Sequence, residues 1–343
     1  MVLSDYNLIE LVDLNGTKVF ATATVTNCIP VIVKEKKTGN ITIFHIDESQ
    51  NIKPAFKKNV KELVQDEKSF VWNVTQEKRD ANRHADMHVL GDYCYVSKGM
   101  VLNSDENDKK NKFVKADLIS EVQDDIHCRK YIEAKDIEKY KVNRIRYLEY
   151  ETKRCPAKLS RPTFPQLYNC QKILTNKIGA LQCILDADNI LCDQTNRICV
   201  LWKDLRGVDN NSIANSVKRY SSMQRQEMET LSESMDLRYL LAILNSKYAN
   251  ALLDAIRGDG NIDLNPEYIR NIPIPSATPD QQAQLAKLAD QMIETKQKLA
   301  AAKSDSDKNL LEQRVELIDS QINSAVYKLY GLTDDEIKVV EGK

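Results

Sequence analysis

The chain is 343 residues long, with 42% hydrophobic and 29% charged residues and a formal net charge of −1, which allows two or three domains with cores of their own. No apolar run approaches the ~20 residues of a membrane-spanning helix, and Met1-Val2-Leu3-Ser4-Asp5 has neither the basic start nor the apolar stretch of a signal peptide. Eight scattered cysteines without a Cys-x-x-Cys pair argue against a disulfide framework or a zinc site and for reduced thiols in a cytoplasm.

The opening reads as strands. Leu8 to Asp13 runs into Asn15-Gly16, a two-residue hairpin signal because both positions tolerate positive φ. A return strand spans roughly Lys18 to Lys34, with Pro30 marking an edge or a bulge. Thr38-Gly39-Asn40 turns the chain into Ile41–Ile46, which together predicts a β-meander. From Lys53 to Asp66, Phe56, Val60, Leu63 and Val64 fall at helical spacing. The polar stretch from Arg79 to Ala85 reads as a linker. Leu90 to Gly99 then starts a second β-rich unit, interrupted by the polar loop Asn103 to Lys112, with strand signals at Ile173–Thr175, Cys183–Leu185 and Ile198–Leu201. Leu237, Leu240, Leu241, Leu244, Tyr248 and Leu252 share one helical face. After Ile272-Pro273-Ile274-Pro275, Thr278-Pro279 sets a helix start. Two apolar stripes, Leu285 to Leu299 and Leu311 to Leu329, flank the polar run Lys303–Lys308 and predict an antiparallel helix pair.

Charge is segregated. Between Glu151 and Leu185 the basic residues Lys153, Arg154, Lys158, Arg161, Lys172 and Lys177 face Glu151 alone, whereas Ser276–Lys343 holds nine basic and twelve acidic residues. A phosphate backbone is drawn to the first and repelled by the second, although a solvated basic face reads the same way from charge alone. His84 and His88 would share a helical face, but with His45 and His127 distant there is no third zinc ligand at useful spacing. Asp186-x-Asp188 lacks the Gly and Glu of a calcium loop and reads as a turn.

In order, these pieces resemble the end of a methyltransferase domain followed by a TaqI-like C-terminal specificity domain, as in type IIG restriction–modification enzymes and related phage-defence adenine methyltransferases. Val19–Ile29 is similar to the last hairpin of the family's Rossmann-like catalytic domain, and Leu90-Gly91-Asp92-Tyr93 through Val101 to the opening of the recognition domain. Tyr131–Ile137 resembles its lysine–aspartate turn, where the family more often has Gly than Ala134. Arg161-Pro162-Thr163-Phe164 with Lys172-Ile173-Leu174, Ile269–Pro275 and Tyr327–Thr333 complete the series. The match spans nearly the whole chain, and its specificity lies in the order of motifs that are individually weak.

The resemblance implies an α+β chain: residues 1–80 the end of the methyltransferase domain, a β-hairpin/meander remnant of its Rossmann-like fold, with a linker helix, 85–275 a mixed β-rich target-recognition domain, and 276–343 an antiparallel helical hairpin or spacer. It implies double-stranded DNA as partner, and S-adenosylmethionine bound by a catalytic domain that this chain lacks. The Asn/Asp-Pro-Pro-aromatic motif that holds a flipped base is absent, as is a glycine-rich turn for the cofactor, since Gly258-Asp259-Gly260 follows no strand. No nuclease motif is recognisable, so no catalytic residue is assigned. Lys98, Lys135, Lys153, Arg154, Lys158, Arg161, Lys172 and Lys177 are the candidates for phosphate contact, and Gln166, Asn169, Asn176, Arg197 and Arg206 for base readout. Tyr168 fits a core position better than a base stack. The alternative is a protein-interaction scaffold that self-associates through the C-terminal helices; a self-sufficient enzyme would need a catalytic constellation that the sequence does not offer.

Overall fold

The computed structural model describes residues 7–14, 28–34, 39–46, 51–63, 84, 87–102, 113–152, 164–257 and 262–342. They divide into two compact units, Met1–Asp86 with Arg257–Asn261, and Met87–Ile256 with Ile262–Lys343.

The first unit holds strands β1 (Asn7–Asp13), β2 (Cys28–Val33), β3 (Asn40–Ile46) and β4 (Ile52–Asn59) and the short helix α1 (Val60–Leu63). A meander would set β3 against β2. The observed order is β2-β1-β3-β4, with β3 parallel to β1 from Glu10↔Thr42 to Asp13↔His45. Apolar content explains the difference. Leu8, Leu11 and Val12 of β1 are buried with Ile41 and Ile43 of β3, so these two strands take the interior. β2 is exposed along its length and carries Pro30, which cannot donate to a ladder and suits an edge. The helix predicted from Lys53 is another correction, because residues 52–59 form edge strand β4 and only Val60–Leu63 is helical. Pro54 lacks the N–H that a helix interior needs, and in the strand it faces Phe44, where the register with β3 shifts. Asn15-Gly16, Lys18–Asn27 and the linker from Arg79, apart from His84, lie outside the described residues.

The second unit runs α2 (Leu90–Tyr93), β5 (Cys94–Lys98), β6 (Ile119–Ser120), β7 (His127–Ile132), β8 (Ile137–Glu138), β9 (Lys141–Val142), β10 (Arg146–Glu149), β11 (Lys172–Thr175), β12 (Cys183–Asp186), β13 (Leu191–Cys192) and β14 (Arg197–Leu201). Helices follow: α3 (Asn211–Tyr220), α4 (Arg225–Leu231), α5 (Leu237–Asn245), α6 (Lys247–Arg257), α7 (Pro266–Arg270), α8 (Pro279–Ala301), α9 (Asp305–Leu329) and α10 (Asp334–Glu341). The fold is mixed α+β with several small sheets: an antiparallel β12-β11-β14-β5, a mixed β13-β7-β10-β6 and the β8-β9 ribbon.

The antiparallel sheet is buried on both faces, which is why Ile198-Cys199-Val200-Leu201 reads as a continuous apolar run. Alternate side chains go to different cores. Val96, Ile173, Cys183, Cys199 and Leu201 pack with Leu240, Leu244, Leu285, Met292, Ile318 and Ile322 of the helices. Tyr95, Leu174, Ile184, Ile198 and Val200 pack with Tyr131, Ile132, Leu148 and Leu191 of the mixed sheet. The result is three layers: helices, sheet, sheet.

Helices α8 and α9 start where the caps specify. Thr278 accepts from Gln281 N with Pro279 at the first helical position, and Ser304 accepts from Asp307 N after a three-residue link. The pair does not stand apart, because Leu285, Met292, Ile318 and Val326 belong to the same core as the sheet. Tyr239 and Tyr330 donate to the carbonyls of Pro275 (2.8 Å) and Pro273 (2.6 Å), fixing the Ile272–Pro275 segment.

Candidate nucleic-acid interface

Three of the proposed phosphate lysines, far apart in sequence, meet around the β13–β14 turn, Asp193-Gln194-Thr195-Asn196-Arg197. Lys98 ends β5, opposite Arg197, and the next residue, Gly99, donates to Asn196 O at 3.2 Å. Lys135 follows Ala134, whose N–H donates to Thr195 Oγ1 at 3.2 Å. Lys177 O accepts from Leu264 N, and Leu264 O accepts in turn from Arg197 Nε. All three lysine side chains are exposed, as is Gln194.

The turn that gathers them is rigid for local reasons. Asp193 is buried, and its Oδ1 accepts from Thr195 N (2.9 Å) and Thr195 Oγ1 (2.5 Å), the hydrogen-bonded turn for which aspartate is suited. Gln194 N donates to Met100 O at 2.9 Å, and Met100 N to Cys192 O at 3.0 Å. Gly99 is required by this approach: a Cβ there would lie 2.0 Å from Asp193 O. Arg197, 1% exposed, donates to Leu264 O, to Gln194 O at 3.0 Å and to Asn196 O at 3.3 Å, and pairs with Asp263 at 3.3 Å. Burial pulls its pKa down, with Asp263 opposing.

Beneath the turn lies an ion network. Lys115 bridges Asp193 (2.8 Å) and Glu133 (2.6 Å), Arg146 pairs with Glu133 (3.3 Å) and Asp136, and Lys135 reaches Glu133 at 2.7 Å. Burial would raise Glu133, but hydrogen bonds from Lys115 and Lys135 and the charge of Arg146 outweigh it and hold the carboxyl at about 2. Its carboxylate neutralises the interior, while Lys98 and Lys177 add positive charge at the surface.

The other candidates fall elsewhere. Lys172 is fully buried and paired with Asp186, so its ammonium has no surface for phosphate and that assignment is corrected. Asn176 is buried, its amide donating to the Ile178 and Ala180 carbonyls and its Oδ1 accepting from Gln182 N; it scaffolds a turn and cannot read a base. Arg197 is likewise a scaffold. Arg206 lies beyond the far end of β14 and binds Glu233 at 2.6 Å and Glu229 at 3.6 Å. Gln166 is exposed, but it and Asn169 sit at the Lys172 end of β11, about 10 Å of strand away from the turn. Asn169 already accepts from Arg129 at 3.1 Å. Tyr168 is a core residue at 2% exposure. Lys153, Arg154, Lys158 and Arg161 lie outside the described residues.

Asp186 does form a turn, accepting from Asp188 N and Ile190 N. Among the described residues no group of three or more His, Cys, Asp or Glu is placed to hold a metal, and no helix is long and apolar enough to cross a membrane. The sequence reading missed Gln194 and Lys115. An Asp-x-Thr turn signal at Asp193 was available, but its closeness to Lys98 and Lys135 is purely tertiary.

No family model matches the chain, and neither does any curated protein. Among solved structures it is similar to Type IIL restriction-modification enzyme MmeI in complex with DNA, at 9% identity and a TM-score of 0.46 over 96% of this chain. The chain spans 44% of that neighbour's length.

Proposed function

We propose that this chain is the DNA-recognition module of a bacterial adenine-specific methyltransferase of a restriction–modification or phage-defence system. The observation that carries DNA binding is the convergence of Lys98, Lys135 and Lys177 on one rigid turn. Phosphate contacts must fix register before bases are read, and exposed lysines on segments tied to a stiff turn suit that role. The motif order described above supports the adenine-methyltransferase setting, with the first unit as the end of the methyltransferase domain. The reading assigns S-adenosylmethionine and catalysis to a catalytic domain outside this chain, because the sequence offers neither a glycine-rich turn after a strand nor an Asn/Asp-Pro-Pro-aromatic motif.

The test is anisotropy on random duplex DNA across a salt series. The full chain is expected to bind at micromolar levels with a log–log slope of several counterions, and a K98A/K135A/K177A triple variant to lower that slope by about 2 to 3. An unchanged slope, or no binding by the unmodified chain at low salt, refutes the reading.

A second reading has one observation in its favour. Leu310 and Leu317, seven residues apart on α9, are 66% and 60% exposed, a spacing that suits helix pairing between copies. Sedimentation of the chain and of L310E/L317E measures it; a monomer at all concentrations removes this reading.

A further inference from the structure

We infer that Gln194 reads a base edge, an inference that rests on the DNA-recognition reading above. Base readout needs a side chain offering donor and acceptor together, held by a backbone that does not move, next to groups that seat the phosphates. Gln194 meets all three conditions. Its backbone is clamped on both sides, N–H to Met100 O at 2.9 Å and C=O from Arg197 Nη1 at 3.0 Å. The neighbouring Asp193 and Thr195 are locked to one another. Yet its carboxamide is exposed and makes no hydrogen bond among the described residues. Lys98, Lys135 and Lys177 lie on segments tied to the same turn, through Arg197, Thr195 and Leu264 respectively. A glutamine carboxamide matches the N6/N7 edge of adenine in the major groove, which makes adenine the base it selects.

The other amides among the base-readout candidates are excluded by position. Asn176 spends its carboxamide on a turn, Asn169 is engaged by Arg129, and Gln166 stands at the opposite end of β11.

Selection of short duplexes from a random library by the full chain, by Gln194→Ala and by Gln194→Glu tests this. Gln194→Ala keeps random-duplex affinity within about twofold, since phosphate contacts are intact, and loses on the order of 10- to 100-fold preference at one base pair. Gln194→Glu, which can only accept, moves preference at that pair from adenine to cytosine. A preference profile unchanged by Gln194→Ala overturns the inference. Binding by the unmodified chain without any preference overturns it too, while leaving phosphate binding in place. No binding at all by the unmodified chain removes the DNA reading itself.

Discussion

Replacing Arg197 with Met separates two roles that a buried arginine in a DNA-binding protein could have. Met preserves most of the volume and removes the donors. The Leu264 and Gln194 carbonyls lose their guanidinium partner, whereas Asn196 O keeps the N–H of Gly99. Hydrogen bonds from a charged donor contribute about 1.5–3 kcal/mol each, so the two carbonyls account for about 3–6 kcal/mol. Releasing a desolvated guanidinium returns part of that. The ion pair adds little, because the Asp263 carboxylate is 44% exposed. A net loss of about 3 kcal/mol, or about 6–12 °C in Tm for a unit of this size, is expected. Trp202 is buried in the second unit, and in a Trp72→Phe background its fluorescence follows urea unfolding of that unit alone. A loss below about 1 kcal/mol, with DNA preference altered instead, would refute the scaffold role and restore Arg197 as a base reader.

Three further outcomes follow from the same region. Gly99→Ala puts a methyl group against the Asp193 backbone, 2.0 Å from its oxygen, and is expected to cost more than the ~1–3 kcal/mol of ordinary overpacking, read as a fall in Tm with loss of DNA binding. Glu133 has its pKa depressed to about 2, so its contribution is complete above its unfolded value near 4.5 and is lost as pH falls towards 2. The urea midpoint of the unmodified chain should therefore fall across that window, and Glu133→Gln should flatten the dependence while lowering stability at neutral pH. Lys172→Met strands the buried Asp186 carboxylate and should cost about 3–5 kcal/mol. Adding Asp186→Asn removes the stranded charge but keeps an acceptor oxygen for only one of the 188 and 190 amides, which bond different carboxylate oxygens, so denaturant melts should recover part of that loss and not all of it.

What could be read along the chain depended on whether the cause was local. The α8–α9 pair was legible because Thr278-Pro279 and Ser304 are caps acting within one turn, and the Leu285 and Leu311 stripes carry the helical period. The strands at 173–175, 183–185 and 198–201 were legible as apolar runs, which a sheet covered on both faces requires. The strand order of the first unit was not, because a local hairpin signal cannot say that β3 will prefer Leu8, Leu11 and Val12 over a proline-bearing neighbour. Period misled at Lys53, where few apolar residues fit a helix and Pro54 went unweighted. For the interface, residue type was a poor guide to exposure. Lys172 and Arg197 look like DNA contacts by composition, but the interior uses them to satisfy a carboxylate and a set of carbonyls.

That distinction bears on how strongly the chain should hold DNA. Basic residues that serve the fold release no counterions, so Lys115, Arg146, Lys172 and Arg197 drop out of the count. Lys98, Lys135 and Lys177 are exposed at the turn, Lys135 exchanging Glu133 for phosphate on binding, and three phosphate contacts give a salt slope of about −2.7. The run Lys153, Arg154, Lys158 and Arg161 would add about −3.6 if all four also met phosphate. The two cases are well resolved by one salt series. A slope near three counterions assigns the grip to the turn, and then a quadruple alanine variant of that run leaves it unchanged. A slope of about six to seven brings the run in, and the quadruple variant should return it to about three. A steep slope indifferent to both sets of substitutions would mean that the phosphates are held by neither, and the turn would lose its claim to be the interface.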